Sequence, residues 1–174
     1  MAKLLAESRA MEPYVRTIST SRSVEYLQWR YTKHPNLTYS VVFVGSPDDP
    51  LATAIVRTGM RLNMREVLLS EIFLTQRDLG TCAALLDELR AAVTADYVLA
   101  YAREGSFLRQ ALRGLGFRVI PPVIMNLILE SPLLRFPERQ KPRRLVVNQL
   151  ETSLPVDPFC LQNWGLTIGD LEVF

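Results

Sequence analysis

Three apolar runs rich in β-branched and aromatic side chains, TYSVVFVG, LATAIVRTGMRL and REVLLSEIFL, follow one another between residues 38 and 74. Runs of that composition form strands, and connections as short as SPDDP cannot carry a crossover. Strands over 38–45, 51–62 and 65–74 in an antiparallel meander are therefore predicted. At Asp78 the period changes. From there to Thr94, apolar Leu79, Ala83, Leu86, Leu89 and Val93 recur every three or four residues, the pattern of an amphipathic helix. DYVLAYA (96–102) reads as a short buried strand, SFLRQALRGLG as a helix closed by Gly116, and FRVIPPVIMNLIL as renewed extended chain. A strand, crossover helix and parallel strand, then another helix and strand, complete the pattern. The predicted class is α/β in the α+β sense, with a mixed, mostly antiparallel central sheet flanked by helices.

Ahead of the meander, residues 2–11 read as a helix ended near Pro13. Ser21 or Ser23 can cap a second helix, SVEYLQWRY, with Val24, Leu27 and Tyr31 at helical spacing, and His34-Pro35-Asn36 stops it. At 174 residues the chain, residues 1–174, fits one domain. Its 48% apolar and 22% charged composition is that of a folded protein, and a net charge of +2 gives nucleic acid no foothold. Cys82 and Cys160 belong to no CxxC pair and His34 stands alone, so no metal-ligand spacing can be drawn. MAKLLAESRAM lacks a signal-peptide core, and VIPPVIMNLIL is broken by two prolines and an asparagine. A soluble cytoplasmic protein without membrane insertion is expected. SPLLRFPERQKPRR (131–144), with three prolines and five basic residues against one acid, reads as a surface excursion, and NWGLTIGDLEVF as a last edge strand.

Meander, polar turn with R-x-x-G-x-C, long helix, strand, and helix ending in L-G-F: over roughly residues 20–130 this resembles the GNAT superfamily of acyl-CoA-dependent N-acetyltransferases. The ending W-x-L-T-x-G-D is similar to that of a bacterial GNAT-like subgroup. The segment before SVEYLQWRY is short for such a fold, which implies that its first strand is absent here. The resemblance implies acetyl-CoA as co-substrate and an amine as acceptor, an amino sugar or related metabolite being the guess. It also implies a cofactor site at Ile72, Leu74, Arg77, Asp78, Leu79, Gly80, Thr81 and Cys82. Backbone N–H groups at a helix N-terminus favour a pyrophosphate, and glycine lets the backbone approach it. Arg77 and Gly80 match the loop pattern, whereas Cys82 stands where Gly or Ala is usual. The plainer reading is that Gly80 eases the start of an ordinary helix capped by Asp78.

Acetylating an amine requires a base, and the resemblance points to a carboxylate on the third run, Glu71. Period-two counting puts it on one face with Val67, Leu69 and Phe73, where apolar neighbours would raise its pKa. The alternatives are a Glu paired with a neighbouring arginine, Arg57 being one, or a Glu facing solvent. Leu112 fills the position of the family's acidic tyrosine, and Gly105 and Ser106 lie where an asparagine is common. Tyr97 and Tyr101 are the substitutes to weigh. Cys82 as a nucleophile would gain from a helix N-terminus but has no histidine near it in sequence. Trp29 and Trp164 read as core or groove anchors. Arg135, Arg139, Lys141, Arg143 and Arg144 read either as contacts to the CoA 3′-phosphate or as a solvated loop. The second reading of the chain is a degenerate GNAT-like domain acting as a binding or assembly module, as a homodimer or beside a partner domain.

Overall fold

Ser23 begins the first helix on the path to the sheet, its hydroxyl accepting from Tyr26 N–H at 3.1 Å. A computed structural model describes residues 1–10, 18–61, 63–120, and 157, 164, 165, 167 and 170. Helix α1 spans Ala2–Ala10, and α2, Val24–Leu27, runs on as a π-helical turn over Gln28–Thr32. The expected stop follows at once: His34 Nδ1 accepts from the N–H groups of Asn36 and Leu37 at 3.1 and 3.0 Å.

The three apolar runs form β1 (Ser40–Gly45), β2 (Pro50–Arg61) and β3 (Met64–Leu74), each pair antiparallel. Helix α3, Leu79–Ala92, crosses over to β4, Tyr97–Ala100, which pairs parallel with β3. The sheet order is β1-β2-β3-β4, mixed and mostly antiparallel, as the short and long connections require. Helix α4, Phe107–Gly114, is capped by Ser106, and the chain leaves it through Gly116 at φ +94°, a left-handed position that favours glycine. The expected extended chain from Phe117 onward is irregular to Ile120; its remainder, the 131–144 excursion and Cys160 lie outside the described residues. Of the expected C-terminal strand, Trp164 makes a parallel bridge to Ile18, with Gly165 N–H donating to Ile18 O at 2.9 Å.

Two apolar clusters flank the sheet. Val42, Ala54, Val56, Val67, Leu69 and Leu74 pack under α3, through Cys82, Leu85, Leu86 and Leu89, and under α4 through Ala111 and Leu112. On the other face Ile55 and Phe73 meet Leu4 of α1 with Leu27 and Tyr31. The α3 stripe differs from the predicted one. It begins at Thr81 and Cys82 and includes Leu85, whereas Leu79 is 48% exposed, because the helix starts at the Asp78 cap and turns Leu79 outward.

The second difference matters more. Ile55 lies opposite Glu71, but the next residue of β2, Val56, lies opposite Leu69. Ser70 is an extra residue in β3, a β-bulge, and an odd residue reverses the alternation beyond it. Val67 and Leu69 therefore face α3, while Phe73 faces α1 and Glu71 lies with it. The expectation of one face for all four is corrected.

Candidate functional site

Two neighbouring places on β3 carry the polar chemistry. The first is the departure of β4. The parallel ladder covers only Glu66 to Leu69, paired with Tyr97 to Ala100, while β3 continues to Leu74. Over 71–74, β3 has no ladder partner on the β4 side among the described residues. Its end leads into the turn before α3. There Asp78 Oδ2 accepts from Thr81 N–H at 2.7 Å and from Thr81 Oγ1 at 2.9 Å. The Thr81 backbone and side-chain hydrogen bonds, then the Gly80 N–H, hold the Asp78 carboxyl below its usual range.

Gly80 thus has a local reason of its own: a Cβ there would meet Asp78 Oδ2 at 3.1 Å. The capping carboxylate folds over it. The same carboxylate occupies the first-turn N–H groups that an incoming anion would use. Arg77 is exposed and forms no ion pair among the described residues. Of the remaining predicted cofactor residues, Leu74 and Cys82 are buried and Ile72 half-buried in the α3-face cluster. Ile72 and Cys82 line a void of about 10 Å³ there, with Leu69, Leu86, Leu108 and Leu112. Burial, and secondarily Asp78, pushes the Cys82 thiol up, so the helix terminus does not activate it as a nucleophile.

The second place lies on the face that the bulge opens. Glu71 is 2% exposed and ion-paired with Arg22, whose Nε stands 3.3 and 3.4 Å from its two oxygens. Tyr31 Oη donates to Glu71 Oε1 at 2.9 Å, and Thr167 Oγ1 lies 3.1 Å from the same oxygen. The other end of Arg22 is ion-paired to Asp170, which accepts from Thr20 Oγ1 at 2.7 Å and Thr167 N–H at 2.8 Å. Arg22 also donates to Thr20 O at 2.7 Å. One largely buried guanidinium therefore serves a buried and a partly buried carboxylate, which satisfies the rule that buried charge is paired and hydrogen-bonded.

The electrostatic balance differs between the two acids. Burial raises the Glu71 pKa more than Arg22 and the Tyr31 hydrogen bond lower it, and Asp170 adds to the rise. Burial also opposes ionisation of Asp170, but Thr20, Arg22 and the Thr167 N–H outweigh it and hold that carboxyl below its usual value. Tyr31 is pushed far up, first by burial and then by Glu71.

The predicted rise at Glu71 is present, but the partner differs from Arg57. Arg57 stands opposite Leu68, further along the strand, while the pairing arginine precedes α2. Leu112, at the position of the family's tyrosine, is core. Of the two substitutes weighed as acid, Tyr101 is exposed, and Tyr97 Oη donates to Glu66 at 2.7 Å, its pKa pushed up to about 12 by burial and that bond. Arg22, Thr20, Thr167 and Asp170 were not foreseen. The one available signal was T-x-G-D in the C-terminal segment, whose Thr167 and Asp170 both reach the cluster.

Among the described residues no helix is long and apolar enough to cross a membrane, and no group of His, Cys, Asp and Glu could hold a metal ion. No family model matches the chain, and no curated protein does. Two solved structures are similar, the wild-type and a mutant form of TTHA1254 from Thermus thermophilus, each at 15% identity and a TM-score of 0.35. They cover 76% and 58% of this chain, and 98% and 89% of their own. At that TM-score the likeness carries no argument about function.

Proposed function

We propose that the chain is a GNAT-like N-acetyltransferase domain that binds acetyl-CoA along the edge of β3 and acetylates an amine. The observation that carries the reading is the early end of the β3–β4 ladder at Leu69 and Ala100. It leaves β3 over 71–74 without a ladder neighbour on that side among the described residues, in the stretch leading toward the start of α3. Backbone groups of a strand edge pair with any amide that lies along them, and the pantetheine arm has two. In the transfer, the neutral amine nitrogen attacks the thioester carbonyl carbon, the C–S bond breaks, and CoA leaves as its thiolate. The surplus proton on nitrogen goes to a base, and Glu71 is the carboxylate whose surroundings favour taking one. A cytoplasmic setting and a small amine as partner go with this reading.

A pyrophosphate at the start of α3 would take the N–H groups that Asp78 now holds. Asp78→Ala is therefore expected to have opposite effects on fold and ligand. Loss of the cap should cost about 1 kcal/mol of stability in urea unfolding. Removing the negative charge should tighten acetyl-CoA several-fold in calorimetric titration. The same titration on the unaltered chain, with free CoA alongside, tests the main reading. Saturable micromolar binding supports it, and no heat at millimolar ligand counts against it.

The enclosure of Glu71 favours a second reading, a GNAT-like binding or assembly module without transfer of its own. Among the described residues Arg22, Tyr31 and Thr167 surround its two oxygens with four hydrogen-bonding contacts, and it is 2% exposed. Glu71→Gln separates the two readings: a transfer rate unaltered at every pH removes Glu71 as base.

A further inference from the structure

We propose that Arg22 and Asp170 are positioning residues for Glu71: the guanidinium holds that carboxylate in one orientation, and Asp170 sets how much of the guanidinium's charge reaches it. This rests on Glu71 being the base of the proposed transfer. The geometry supplies the link. Arg22 Nε faces both Glu71 oxygens at 3.3 and 3.4 Å, while its terminal nitrogens hold Asp170, Thr20 O and, at 3.0 Å, Thr167 Oγ1. The guanidinium is planar and rigid, so fixing it at the Asp170 end fixes it at the Glu71 end.

Three chain segments meet at this guanidinium. Thr20 and Arg22 come from the stretch ahead of α2, Glu71 from β3 just past the bulge, and Thr167 and Asp170 from near the C-terminus. Among the described residues, Arg22 and Thr167 are the hydrogen-bonded links between Asp170 and Glu71. The other charged or titratable groups facing the pair are Tyr31, hydrogen-bonded to Glu71, and Tyr26 and Arg30 of the same helical segment, coupled to the cluster by charge. With both acids ionised, two negative charges share one positive charge in a largely shielded cluster, so the proton on one depends on the state of the other. Two such groups titrate as a pair.

The deciding measurement is carbon-13 NMR titration of the full chain labelled at its carboxyl carbons. In the unaltered protein the Asp170 signal should show a second, smaller inflection at the midpoint of Glu71. Asp170→Asn should lower the Glu71 midpoint by about one pH unit, since it removes a like charge and frees the guanidinium for Glu71. Arg22→Lys keeps the charge but loses the fork, and should raise that midpoint. If transfer is detected, the acid limb of kcat/KM should move down with Asp170→Asn by the same amount. A Glu71 midpoint indifferent to Asp170→Asn overturns the proposal. So does a single, independent inflection for Asp170 in the unaltered chain, which decides the matter even where a variant does not fold. Failure of acetyl-CoA to bind would remove the transferase reading and leave these titrations intact.

Discussion

Replacing Arg22 with methionine is expected to cost about 3–5 kcal/mol of folding stability at neutral pH, one of the largest losses available from a single side chain in this molecule. The side chain is 13% exposed, and its loss would leave two carboxylates, 2% and 8% exposed, with no guanidinium between them. The hydroxyls of Tyr31, Thr20 and Thr167 would remain, but hydroxyls do not neutralise charge. Urea unfolding at pH 7 measures the loss. Its dependence on pH checks the cause. Without the cation, both acids would have folded-state midpoints above their unfolded values, so stability is present at low pH and lost as pH rises through those midpoints. The deficit should therefore shrink on acidification. In the unaltered chain the two acids act in opposite directions. Glu71, raised, takes stability away as pH rises through its folded midpoint; Asp170, lowered, loses its contribution as pH falls through its own. Arg22→Met in a Glu71→Gln, Asp170→Asn background should cost far less than Arg22→Met alone, because no buried charge is then orphaned.

None of that cluster was legible as a cluster. The ion pairs of Arg22 span 49 and 148 residues, and no local pattern marks a guanidinium that will be buried at such separations. What local chemistry governs was read well. The meander follows from β-branched composition and short turns, the parallel β4 from a connection long enough to hold a helix, and the Ser23 and Asp78 caps from side chains able to accept a helix N–H. The α3 stripe was read in the wrong phase at its start because Leu79 and Cys82 are both apolar, and only tertiary packing chooses between them. Gly80 illustrates a partial reading. Its place in the turn was visible, but the near contact that accounts for it belongs to the Asp78 carboxylate beside it. Glu71 was picked out through the resemblance, and the apolar company expected to raise its pKa was misassigned by one bulge.

That bulge supports the second large prediction. Deleting Ser70 should leave a cooperative fold, whereas deleting Ile72 should abolish it. Without Ser70, Leu69 and Glu71 are consecutive, as their partners Val56 and Ile55 already are. Strict alternation then keeps Val67, Leu69, Ile72 and Leu74 toward α3 and Glu71 and Phe73 toward α1, the faces they hold with the bulge present. The extra residue can therefore be lost without turning any side chain over. Ile72 has no such freedom. With the bulge in place, its deletion drives Phe73 into the α3 cluster and Leu74 out of it. With Ser70 drawn back into regular alternation, Phe73 and Leu74 keep their faces, but Glu71 enters the aliphatic cluster away from Arg22. The first outcome strips and overfills the core, and the second buries an unpaired carboxylate. Either, added to the loss of a large apolar side chain at about 2–5 kcal/mol, exceeds what a domain of ordinary stability can lose. Circular dichroism and urea unfolding of the two deletions side by side would show it. Cooperative unfolding of the Ile72 deletion, or none in the Ser70 deletion, would mean that alternation along β3 does not place Glu71, and the carboxylate site would have to be explained from the helices instead.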